Sequence, residues 1–88
     1  MNKQRVAKLV RQLLVEMGED PTREGLVKTP ERVAAAYEFL TSGYRTNTKD
    51  VINNAVFQSE ANNMVVLRNI EVFSLCEHHM LPFFGHCH

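Results

Sequence analysis

Four consecutive side chains, Cys76-Glu77-His78-His79, concentrate the groups in this sequence that bind metals or move protons. A thiolate and an imidazole separated by two residues can curl around one Zn²⁺, because a turn of that length brings both within bonding distance, about 2.0–2.3 Å. Cys76 and His79 form that pair. His78 then points elsewhere and is available as a general acid or base near neutral pH, where imidazole is poised. Glu77 can orient a histidine or meet a residue of a neighbouring subunit. Two ligands do not make a site, since a catalytic zinc takes three protein ligands and keeps one position for water. His86, Cys87 and His88 are candidates by type. If they form a strand, His86 and His88 face one side and Cys87 the other, and spacing assigns none of them.

The elements that must position this cluster follow from the pattern upstream. Val6, Leu9, Val10, Leu13, Leu14 and Met17 recur at offsets of three and four, one face of an amphipathic helix that Gly18 ends. Asp20-Pro21 carries an N-cap and first-turn signal, so residues 18–25 read as a turn with at most one helical turn. Thr29-Pro30 repeats the signal and starts a second helix over residues 30–41, with Val33, Ala36, Tyr37 and Leu40 inward and Gly43 at a left-handed cap. The two helices can pack as an antiparallel pair. Residues 45–54 are polar, rich in Thr and Asn, and read as loop, with Phe57 as a downstream anchor. Met64-Val65-Val66-Leu67 and Ile70-Glu71-Val72-Phe73-Ser74-Leu75 have the residue types of strands. Pro82 and Gly85 suggest a turn before a last segment over residues 85–88. Helices come first and sheet second: an α+β fold. It reads as one partial domain over residues 1–88, helical over 1–43, connecting loop over 44–62 and the start of an antiparallel sheet over 63–88. One or two strands leave apolar faces and edges that need covering, so either another subunit completes the sheet or more chain follows.

Composition narrows the function classes. With 88 residues, 44% hydrophobic and 23% charged, the chain holds one small core at most. Oligomerisation or a bound metal would add stability that such a core lacks. Ten basic side chains against ten acidic argue against an electrostatic stripe for nucleic acid. There is no apolar run long enough for a membrane span and no signal-peptide apolar region, so the expected location is the cytoplasm, without nucleic-acid or membrane partners. Two cysteines in such a chain suit metal or catalytic roles better than a disulfide.

At family level, Gly18-Glu19-Asp20-Pro21, Arg23-Glu24-Gly25-Leu26, Thr29-Pro30-Glu31-Arg32-Val33, Ser42-Gly43-Tyr44 and Ser74-Leu75-Cys76-Glu77-His78-His79, followed by Leu81-Pro82-Phe83 and Gly85, closely resemble GTP cyclohydrolase I. The resemblance implies a homo-oligomeric enzyme of the tunnelling fold, in which helices precede an antiparallel sheet that joins its neighbours into a barrel. It implies attack of a zinc-activated water at C8 of GTP, loss of formate and ring closure to 7,8-dihydroneopterin triphosphate. That reaction is the first step of folate- and tetrahydrobiopterin-type pterin synthesis. By the same resemblance Cys76 and His79 are zinc ligands, His78 exchanges protons with the purine and Arg32 helps bind the triphosphate. Ala35 stands where the family often has a lysine, which weakens any phosphate cluster on that helix. The family's third zinc ligand, its guanine-holding glutamate and its other phosphate-binding cations lie beyond residue 88. The expectation is therefore an N-terminal portion of the enzyme, inactive alone. The alternative is a non-catalytic zinc-binding or assembly module, in which His86 or His88 joins Cys76 and His79 around a structural metal.

Overall fold

The computed structural model describes residues 1–88, in the order α1 (Lys3–Glu16), α2 (Thr29–Leu40), a 3-10 turn (Ser42–Arg45), α3 (Thr48–Ile52), β1 (Ile70–Leu75) and β2 (Pro82–Cys87). Helices precede a two-stranded antiparallel sheet, an α+β arrangement. The chain falls into two compact units, Met1–Phe39 and Leu40–His88.

In the first unit, α1 starts at Asn2, whose side chain accepts from the Arg5 N–H at 2.9 Å, a cap that satisfies one of the unpaired first-turn donors. It ends as the glycine predicts. Gly18 adopts φ +86°, its N–H donates to Val15 O, and the Glu19 N–H reaches back to Leu14 O, both at 2.9 Å. This double closure is a Schellman cap, which needs a residue at positive φ. Asp20 does not open a helix; its Oδ1 accepts from the Thr22 N–H (2.9 Å) and hydroxyl (2.6 Å), and a series of turns follows up to α2. Arg23 Nε lies 3.3 Å from Glu19 Oε2, tying that turn to the end of α1.

Helix α2 departs from expectation at both ends. The Thr29 hydroxyl donates back to Gly25 O at 3.5 Å instead of capping the helix. Gly43 is not left-handed but sits within the 3-10 turn, because the chain tightens after Leu40 rather than reversing through a glycine. Its buried side is Pro30 and Ala34, with Val33, Tyr37 and Leu40 half-buried; Ala36 is exposed. Lys3 Nζ, in the first turn of α1, pairs at 3.0 Å with Glu38 Oε2, in the last turn of α2. The covered side of α1 is Val6, Ala7, Val10 and Leu14, so Leu9, Leu13 and Met17 of the expected apolar face stay exposed.

The second unit is a hairpin with a preceding helical segment. Part of the expected loop is helix: Asn47 caps α3 by accepting from the Lys49 N–H at 3.0 Å, and Asn53 ends it at φ +48°. Phe57 anchors nothing and is 83% exposed. Met64-Val65-Val66-Leu67 forms no strand, because no neighbouring strand supplies a ladder for it. Strand β1 pairs with β2 from Ile70↔Cys87 to Leu75↔Pro82. The turn expected at Pro82–Gly85 is absent. Pro82 instead opens β2, where a missing N–H is tolerated, and Gly85 is paired with Val72 in mid-strand. No helix is long and apolar enough to cross a membrane.

Candidate metal centre

The chain reversal lies between Leu75 and Pro82, on the chemistry-bearing residues themselves. Beyond the last strand pair, the Cys76 N–H donates to Leu81 O and the Met80 N–H donates to Cys76 O, both at 2.8 Å. Cys76 and Leu81 thereby add one more rung, and Glu77, His78, His79 and Met80 form a four-residue loop across it. Both backbone polar groups of Cys76 are engaged, so the direction in which its side chain leaves the hairpin is set.

That loop brings both imidazoles to the thiol. Cys76 Sγ lies 3.9 Å from His78 Nδ1 and 3.9 Å from His79 Nδ1, and the two ring centroids are 6.1 Å apart at 56°. The expectation that His78 points elsewhere is therefore corrected: a one-residue step along a tight turn, unlike a strand, does not send neighbours to opposite sides. Two ligands at 2.3 and 2.0 Å from a tetrahedral zinc are about 3.5 Å apart. Closing a 3.9 Å separation to that value needs a shift of a few tenths of an ångström, within the reach of side-chain rotation. Cys76 with either imidazole thus fits a zinc ion in ligand type and spacing.

Glu77 Oε1 stands 3.9 Å from His78 Nε2, with side chains 90% and 74% exposed respectively. At that distance and exposure the pair holds His78 only loosely. Cys76 is half-buried and its thiol is free, as is that of Cys87. A depression of about 610 Å³ borders the loop, lined among others by Tyr44, Phe73, Leu75, Cys76, Glu77 and Met80.

The remaining candidates are elsewhere. The register places Cys87 opposite Ile70 and His86 opposite Glu71, at the far end of the hairpin from the loop. Five residue steps along the strand lead from Leu81 to His86, about 17 Å at 3.4 Å per residue. His88 is engaged there, its Nδ1 accepting from the Asn69 N–H at 3.1 Å. A structural site combining Cys76 and His79 with His86 or His88 of the same chain, the alternative raised by the sequence, is excluded by this separation. Nowhere do three His, Cys, Asp or Glu side chains come together in a metal-holding group. Arg32 is exposed in the first turn of α2, in the other compact unit. The left-handed Met80, φ +56°, is a feature the sequence did not disclose, since nothing in its residue type marks it for that conformation.

The GTP cyclohydrolase I family model matches residues 6–88, which include every residue of this loop. The chain belongs to the GTP cyclohydrolase I family. It is 60% identical over 79 residues to a GTP cyclohydrolase 1 of Campylobacter jejuni subsp. doylei, covering 90% of this chain and 42% of the relative. It is 54% identical over 80 residues to that of Leptospira biflexa (91% of the chain, 44% of the relative) and 55% identical over 80 residues to that of Methylococcus capsulatus (91% and 43%). The chain spans 42–44% of the length of these curated relatives. For a member of this family, the order of helices followed by an antiparallel hairpin agrees with the fold class expected from the sequence.

Proposed function

We propose that this chain carries the zinc-binding and proton-transfer loop of a GTP cyclohydrolase I, which converts GTP and water to 7,8-dihydroneopterin triphosphate and formate in the cytoplasm, opening a pterin pathway of the folate and tetrahydrobiopterin type. The observation that carries the reading is the convergence of Cys76, His78 and His79 on one hairpin loop inside the family match. Zinc, when bound, supplies an activated water at neutral pH. Cys76 and His79 hold it, and the Cys76 backbone pairing keeps the thiolate at the rim of the hairpin. His78 turns its Nδ1 toward Cys76, which leaves Nε2, on the Glu77 side, to exchange a proton with the purine ring. Arg32 contributes to holding the triphosphate, and self-association covers the apolar faces that each unit leaves open.

The geometry is symmetric between the two histidines, so the division of roles between them rests on the family resemblance and is open to test. Cobalt(II) titrated into the chain reports a thiolate ligand by a sulfur-to-metal charge-transfer band. Cys76→Ser should abolish the band, and His79→Ala should weaken cobalt binding by at least about 10-fold, since even outer-shell partners carry about 10–100-fold. His78→Ala should leave the band in place. Equal losses at His78 and His79, or a band that survives Cys76→Ser, would refute these assignments. With no group of three side chains placed to hold a metal, the 88-residue chain should release no formate from GTP; turnover by the chain alone would show that the reaction needs no more than these residues.

A further inference from the structure

Four residues other than glycine have positive φ: Asn53, Asn54, Asn69 and Met80. Asparagine tolerates the left-handed region because its short amide can bond locally, whereas methionine has no such bond to offset the approach of its Cβ to the following carbonyl. Met80 is thus the residue whose conformation its own chemistry does not explain. What holds it is the hairpin: its N–H donates to Cys76 O, and the next carbonyl, Leu81 O, accepts from the Cys76 N–H, both at 2.8 Å. The left-handed step at Met80 turns the chain after the first of these bonds so that the second, from the Cys76 N–H to Leu81 O, can form. Without it, Leu81 would not come back into register with Cys76, and the arc that carries His78 and His79 to within 3.9 Å of Sγ would be braced by the Met80 N–H to Cys76 O bond alone.

We propose that Met80 is a positioning residue whose left-handed backbone holds Cys76, His78 and His79 together before any metal arrives. The proposal deepens the metal-site reading above and rests on it for its consequence, but the convergence itself is a property of the protein without metal. Preorganisation of this kind raises apparent affinity by the fraction of molecules already in the competent geometry. The conformation, rather than the thioether, carries the role, so glycine should replace methionine without loss and a β-branched residue should not.

The test compares the chain with its Met80→Gly and Met80→Val variants by two readouts. Nuclear Overhauser contacts between the Cys76 β-protons and the two imidazoles report the convergence without metal, with Val72–Gly85 cross-strand contacts as the control for the hairpin. Cobalt affinity and the intensity of the thiolate band report its consequence. The expected result is that Met80→Gly keeps the contacts and binds cobalt at least as tightly as the parent. Met80→Val should keep the Val72–Gly85 contacts, lose those to the imidazoles and bind cobalt about fivefold or more weakly. Unchanged contacts and affinity in Met80→Val would overturn the proposal. Should that variant lose the hairpin altogether, Met80→Asn and Met80→Ala replace it: asparagine tighter than the parent with alanine at parental strength supports the proposal, and equal behaviour of asparagine and alanine overturns it. If the parent shows no thiolate band, the zinc reading fails on its own, and the imidazole contacts of the variants still decide the role of Met80.

Discussion

At the scale of single residues, the informative groups are those whose polar atoms have specific partners. Asp20 shows how a side chain read as a helix cap can serve a turn. Its carboxylate is held below the ordinary carboxylate value of 3.8, first by the hydrogen bond from the Thr22 hydroxyl and then by the one from the Thr22 N–H. A carboxyl whose folded-state value is depressed stabilises the fold above its unfolded value and loses that contribution as pH falls through the lower, folded value. The carboxyl resonance of Asp20 should therefore titrate with a midpoint below 3.8 in the native chain, and Thr22→Val should raise that midpoint. A midpoint unmoved by the substitution would show that the hydroxyl contributes nothing. The same attention to partners separates the two clusters of histidine: His78 and His79 share Cys76, while His88 is tied to the Asn69 backbone.

At the scale of elements, helix ends and the hairpin loop behave differently under sequence reading. The end of α1 was legible because a Schellman cap needs only residues within five positions of each other and a glycine at the right one. Gly18→Ala should lower stability by about 1 kcal/mol, read from urea or thermal unfolding. Nothing lies within 4 Å of the added methyl, so the cost would come from the backbone at φ +86° and not from a clash. A substitution without effect would mean that the turn relaxes freely. The hairpin was less legible. Cys76-Glu77-His78-His79 carries no Gly, Asn or Pro to mark a reversal, whereas Pro82 and Gly85 carry the usual marks and lie in a strand. What places the loop is the pairing of Leu75 with Pro82 and Cys76 with Leu81, contacts that a local pattern does not encode.

At the scale of the molecule, neither unit closes a core of its own. Ala34 is the one buried hydrophobic residue. In the first unit Leu9, Leu13 and Met17 are 57–67% exposed, and in the second Phe57 and Phe84 exceed 80%. Cross-strand packing of Phe73 with Phe84 is worth at most about 1 kcal/mol, so a two-stranded hairpin gains little from its own side chains. Apolar surface left in this state favours burial against another copy at about 25 cal/mol per Å². The proposed self-association predicts a sedimentation mass above 10.1 kDa that falls on dilution, with unfolding midpoints that rise with concentration. A concentration-independent mass of one chain would remove this part of the proposal.

The sequence by itself determined the parts whose physics is short-ranged: the amphipathic α1 and its glycine stop, the helix-before-strand order, and the concentration of ligand-type side chains in four residues. It also carried the family, because motifs in a fixed order over most of the chain are specific even where each is weak. Tertiary structure decided which of those side chains meet. The register sends His86 and His88 to one end of the hairpin and leaves Cys76, His78 and His79 at the other, where the tight loop over residues 77–80 brings His78 toward the thiol instead of away from it. Side chains adjacent in sequence share a site only when the backbone dihedrals between them allow it. Those dihedrals are set here by hydrogen bonds across the hairpin.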